Sequence, residues 1–193
     1  QVTRLLSFYL LVTAFSVSAF LATGLNLHMI PYFTDRGLTP GTAALVVAVW
    51  SGSGALGSLT LGFLAERFSI RLVATWSFLL LGTGFALLLT VHSTLIGLTW
   101  GVYQGFVNGG MFILQQVIFA DYYGRGSLGA IRGAMQPATL GANALGPLAA
   151  AVVFDMTGSY VGVFSAFIFL SIFCAICTFF AKPPIPTQFQ VGS

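Results

Sequence analysis

Charge is what this 193-residue chain has least of: Asp, Glu, Lys and Arg make up only 6% of it, against roughly 25% in an average soluble domain. That scarcity leaves little chain for any soluble domain. The chain also lacks a GxxxxGK[ST] phosphate loop, which excludes an ATP-driven engine of that type. Its few basic residues are scattered over segment ends and form no single patch, so the basic balance (pI about 9.1) needs no nucleic-acid partner. Cysteine is limited to Cys174 and Cys177. They form a CxxC inside an apolar run with no His or acidic neighbour, which reads as two small packing residues in a lipid-facing helix and not as a redox or metal site. No cofactor and no metal is implied.

What the chain does have is apolar length: 57% of it is hydrophobic and its mean hydropathy is +0.96. Six apolar runs, 5–30, 42–64, 72–91, 95–120, 134–154 and 161–181, each approach the ~20 residues a spanning helix needs. The expected fold class is therefore an all-α membrane protein whose solvent is the lipid bilayer. Residues 1–182 form one six-helix transmembrane unit, and 183–193 form a cytoplasmic tail. A transmembrane barrel is excluded because the runs are continuous, whereas barrel strands alternate over ~10 residues. The first run is too long for a signal-peptide core and ends in no cleavage site, so it reads as a retained helix. A start at Gln1, with Arg4 almost directly before the run, suggests a piece of something longer.

If six helices alternate direction, Arg4, Arg67, Arg71, Arg125, Arg132 and Lys182 fall on one side and Arg36 alone on the other. The positive-inside rule then makes both termini and the 65–71 and 121–133 loops cytoplasmic, in a plasma or inner membrane.

Intramembrane amides are costly unless they face protein or water, so their placement sorts the spans. Spans three and six have none and read as peripheral. Span four carries Gln104, Asn108, Gln115 and Gln116, of which Gln104, Asn108 and Gln115 share one helical face at about 100° per residue. Span five carries Gln136 and Asn143, seven residues apart, with Pro147 on the same side. Such stripes line a solute path or bond to each other as structural glue; the two readings stay open. Asn26 and His28 point to opposite sides of span one, so at most one faces a cavity. Trp50 adds an aromatic wall.

Gly97, Gly101, Gly105 and Gly109 form three overlapping GxxxG units, a surface for close packing or for helix tilting. Pro137 and Pro147 would interrupt the ladder of span five.

The stretch Gly62-Phe-Leu-Ala-Glu66-Arg67-Phe-Ser-Ile-Arg71 resembles the loop signature G-x-L-A-D-R-x-G-R-[KR] of the major facilitator superfamily. Gly62, Leu64, Ala65, Arg67 and Arg71 match, Glu66 replaces Asp, and Ser69 and Ile70 depart from the pattern. The segments from His28 to Gly37, from Gly124 to Gly133, and Gly146-Pro147 with Asp155 to Tyr160 are similar to the monocarboxylate-transporter-like and oxalate/formate-antiporter-like branch. The resemblance implies one half-bundle, helices seven to twelve, of a twelve-helix fold working by alternating access about a midplane site. The partners it implies are a missing N-terminal six-helix half or a second copy, and a small organic solute, possibly with a coupling ion.

Under that reading Gly62, Glu66, Arg67, Arg71 and Arg132 are candidates for a cytoplasmic gate, unless the arginines only set topology and bind anionic headgroups. Asn26, His28, Trp50, Gln104, Asn108, Gln115, Gln136 and Asn143 are candidates for the substrate path. No Lys or Arg lies at mid-depth in spans two, four or five, so a counter-charge for a carboxylate would come from the missing half. No mid-membrane carboxylate offers proton coupling. A different class, an intramembrane serine protease using Ser51 or Ser53, lacks a well-placed base, since a serine nucleophile needs one and His28 and His92 sit near the membrane ends. A self-sufficient six-helix homo-oligomeric carrier or channel is the stronger alternative.

Overall fold

The computed structural model describes residues 6–124, 126 and 128–184. Arg4, Arg125 and most of the expected tail lie outside the described residues. The rest forms six helices: α1 (Leu6–Asp35), α2 (Pro40–Arg67), α3 (Ile70–Leu88), α4 (Thr94–Tyr123), α5 (Leu128–Thr157) and α6 (Val161–Phe180). Five of them, all but α4, are long and apolar enough to cross a membrane. α4 is as long as α1, but Gln104, Asn108, Gln115 and Gln116 make it more polar.

Two helices differ materially from the apolar runs. α1 does not stop before Pro31 but continues to Asp35. So near the helix end the proline removes one ladder bond, and the buried Tyr32 and Phe33 hold the last turn by packing. The helix then ends at Gly37, whose φ of 87° no other residue adopts cheaply. Gly37 N–H donates to Thr34 O and Leu38 N–H to Phe33 O, a Schellman closure with Leu38 buried beneath it. α5 begins at Leu128, not at 134, so Arg132 stands inside a helix and not in a loop. Ile131 and Met135, four apart and both buried, anchor that first stretch.

The other starts follow local chemistry. Thr39 caps α2, its side chain accepting from Thr42 N–H, with Pro40 in the first turn, where a missing N–H costs nothing. Ser93 caps α4 by accepting from Ile96 N–H.

Three helix pairs dominate the packing: α2 with α4, α1 with α5, and α3 with α6. α1 also meets α6, and α4 also meets α3. Backbone proximity explains the first pair. A Cβ on Gly105 would strike the Trp50 carbonyl, one on Gly109 would strike Gly54, and one on Gly57 would strike the Phe106 carbonyl. Gly101 and Gly97 continue the same ridge, 3.1 Å from Val46 O and 3.2 Å from Val46 Cγ2 by the same measure. Ser58 Oγ closes the seam by donating to Gly109 O at 3.0 Å. In the second pair Gly24 and Gly146 meet across α1 and α5.

Large rings fill the rest of the interior. Phe15 packs on Phe78 and Phe119, Phe33 on Trp100, Tyr32 on Phe164, and Phe85 on Phe167. Cys174 and Cys177 are both buried, so they face neighbouring helices and not lipid. α3 and α6 each bury one side and expose the other, where Trp76 is 63% exposed and Phe169 72%.

Amide content does not sort burial, since α2, α3 and α6 all lack Asn, Gln and His. In the most apolar stretches of α3 and α6, 50% and 44% of residues are buried, against 17% in α2 and 11% in α5. α2 and α5 each have one main partner, and their remaining faces stand uncovered. Those faces mix Leu with small and polar residues such as Ser51, Gly52, Thr60, Gly133, Gln136 and Gly141.

Candidate functional site

Three adjoining open cavities lie along α4, walled by α1, α2, α4 and α5. One, of about 320 Å³, is lined by Trp50, Ser51, Gly54, Ser58, Asn108, Gly109 and Phe112. The next, of about 260 Å³, shares Asn108 and Phe112 with it and adds Phe15, Ser18, Gln115, Thr139 and Asn143. The third, of about 290 Å³, shares Gln115 and Thr139 with the second and adds Gln116, Phe119, Arg132 and Gln136. The three follow one another along α4, each sharing two lining residues with the next, with an aromatic ring at one end and a guanidinium at the other.

Five of the path candidates, Trp50, Asn108, Gln115, Gln136 and Asn143, therefore meet along one groove. The other three stand elsewhere. Gln104 is fully buried, its amide oxygen where a Cβ of Gly84 on α3 would be. Neither amide atom has a hydrogen-bond partner. It shares a helical face with Asn108 and Gln115, but helices that cross change neighbours with depth, so that face meets α3 at one level and the groove at another. Asn26 is exposed on α1. His28 is half-buried and engaged: Nε2–H donates to Pro147 O at 3.0 Å, and Nδ1 lies 3.1 Å from the Tyr160 hydroxyl. His92 lies 2.7 Å from Thr90 O through Nδ1, so both rings are bonded away from Ser51 and Ser53.

Tyr160 stands in the turn before α6, packed face to face on Phe154 at 4.3 Å. Burial first, and then the carboxylates of Asp35 and Asp155, push its phenol up from the ordinary 10.0. It therefore stays a neutral O–H that donates to His28, consistent with the Nε2–H tautomer.

The gate candidates separate into two groups. Glu66 and Arg71 line a cavity of about 340 Å³ with Phe68, Ser69, Asp121 and Tyr122. Arg67 lies over the Phe63 ring at 4.4 Å and Arg71 over Phe179 at 5.8 Å. Gly62 faces α4, where a Cβ would come within 3.4 Å of Ile113 Cγ2. Arg132 belongs to neither this cavity nor these contacts. Its Nη2 donates to Gln116 Oε1 on α4 at 2.6 Å, so grouping it with Glu66 is corrected: starting α5 at Leu128 turns it into the α4–α5 groove. Sequence reasoning named Gln116 but gave it no role. The signal was available, because Gln116 and Arg132 stand eight residues on either side of Gly124, the pivot of the α4–α5 turn.

The chain matches the Major Facilitator Superfamily over residues 8–192 and belongs to that family. Its members are membrane transporters, not enzymes, and this chain accordingly serves the transport of a solute across a membrane. No individual curated protein matches it.

Proposed function

We propose that the chain is the C-terminal half of a secondary carrier that moves a small organic solute, a carboxylate, by alternating access. The row of adjoining cavities from Trp50 to Arg132 is the observation that carries this reading, since it sets hydrogen-bonding amides along one wall of an otherwise apolar bundle. Trp50, Asn108, Gln115, Gln136 and Asn143 contact the solute. The sparsely buried faces of α2 and α5 supply the surface on which an N-terminal half, or a second copy, would pack. The segments from His28 to Gly37 and Gly124 to Gly133 favour the monocarboxylate-transporter-like or oxalate/formate-antiporter-like branch. The arginine-rich helix ends face the cytoplasm of a cell membrane, and Glu66 with Arg67 and Arg71 forms the gate there.

The test is uptake of labelled mono- and dicarboxylates into proteoliposomes, comparing this chain alone with the chain joined to any six-helix half encoded upstream. Uptake by the longer protein only supports the half-carrier reading. Saturable uptake by the chain alone supports a self-sufficient oligomer, and no uptake of any carboxylate by either sinks the substrate class.

A further inference from the structure

We propose that the cavity between α4 and α5 is a docking site for a single carboxylate group of the solute, with Arg132 as its counter-charge. This deepens the transport reading and rests on it. It also supplies from within this chain the cation that the spacing of charges in the sequence had assigned to a missing half.

Four observations converge. Arg132 Nη2 is fixed by the Gln116 carbonyl at 2.6 Å, which uses one of the five donors of the guanidinium and leaves others for a planar acceptor. Bonding through its oxygen leaves the Gln116 amide N–H groups as donors, and Gln115 and Gln136 line the same cavity. The charged Glu66 and Asp121 line a separate cavity, and no carboxylate lines this one among the described residues. Arg132, exposed at the rim of the cavity, is thus bonded to a neutral group and has no carboxylate partner among the described residues. Finally, the cavity shares Gln115 and Thr139 as walls with the amide-lined cavity beside Asn108 and Asn143, so the next polar wall along α4 begins where this one ends.

Chemistry narrows the class. One guanidinium matches one carboxylate by a paired, charge-assisted contact. The remaining wall offers Phe119, Leu128, Ile131 and Met135, which suit an apolar body and would leave a second carboxylate without a cation. The site therefore takes a small monocarboxylate in preference to a dicarboxylate.

The experiment uses the full chain in phosphatidylcholine vesicles, with Thr139→Cys as a maleimide reporter inside the cavity. Cys174 and Cys177 are buried, and a Cys174→Ser/Cys177→Ser background removes them as a source of signal. Propionate, succinate and chloride are compared at equal ionic strength. Propionate is expected to slow labelling several-fold more than succinate or chloride. Adding Arg132→Gln should abolish the protection, and Arg132→Lys should keep part of it. The thermal midpoint of the unsubstituted chain, raised by propionate and not by chloride, is a second measurement free of any variant. Equal effects of propionate and chloride, or none, overturn the site. Protection by phosphatidylglycerol in place of propionate overturns it too, assigning the guanidinium to a lipid headgroup. Propionate uptake by the chain joined to any six-helix half encoded upstream separates the two levels: uptake there without protection here removes the site and leaves the carrier, whereas absence of both removes site and substrate class together.

Discussion

His28 Nε2 lies 3.0 Å from the carbonyl oxygen of Pro147, joining α1 to α5 at the level where a proline already weakens the α5 ladder. With Tyr160 on its other nitrogen, one imidazole pins two helices and the turn that follows them. Each net hydrogen bond contributes about 0.5–1.5 kcal/mol, and those between membrane helices average about 0.6. His28→Phe should therefore cost about 1–2 kcal/mol in reversible unfolding from detergent micelles. Tyr160→Phe should cost about half of that, and the double variant should show non-additivity. Additive losses would mean that the three groups do not act as a unit.

Tyr160 also sets an alkaline limit. Its folded pKa is raised above the unfolded value of 10.0, so its neutral form is favoured in the native state. The stability it contributes is full below pH 10.0 and is lost as pH rises through the higher folded value. Unfolding midpoints of the wild type should fall above that pH more steeply than those of Tyr160→Phe, and parallel curves would rule this out.

The ridge on α4 makes a graded prediction. Gly105→Ala and Gly109→Ala place a methyl group into the α2 backbone and should destabilise by about 1–3 kcal/mol. Gly101→Ala, with 3.1 Å available, should cost less, and Gly52→Ala, which meets nothing, should be almost silent. Thermal unfolding of the four proteins gives the order directly.

Gln104 separates packing from transport. Its amide is buried and unpartnered, so Gln104→Met removes an unmet desolvation cost of about 1–3 kcal/mol while nearly conserving volume. The variant should be at least as stable as wild type, with uptake unaltered. A selective loss of uptake would return Gln104 to the solute path.

At the proposed gate, Glu66→Gln should shift the balance between inward- and outward-open states. Accessibility of single-cysteine probes at each end measures it, and no change at either end would rule Glu66 out as a gate.

The six helices could be read in the sequence because each is a long apolar run, but their ends, set by the cap chemistry of Gly37, Thr39 and Ser93, do not follow from those runs. Pro31 misled because a proline in a last turn sacrifices one bond, which the buried Tyr32 and Phe33 outweigh. Gly129, Arg132 and Gly133 resemble a loop by composition, yet they sit on a helix whose buried side is Ile131 and Met135. Gln104 marks a different limit: periodicity fixes an angle around one helix axis, but only the crossing of helices decides what lies in that direction. The contact between Arg132 and Gln116 needed the length of the α4–α5 turn as well as the residue types.

The three tryptophans occupy three unlike surroundings: Trp76 on the outer face of α3, Trp50 on the wall of the groove, and Trp100 buried with its Nε1–H on Gly84 O at 2.8 Å. Brominated acyl chains reach the first from the lipid, and a small water-soluble quencher that enters the cavity beside Asn108 reaches the second. The third emits unquenched until the bundle comes apart. Without a single introduced dye, the chain's own fluorescence distinguishes lipid contact, groove occupancy and loss of fold.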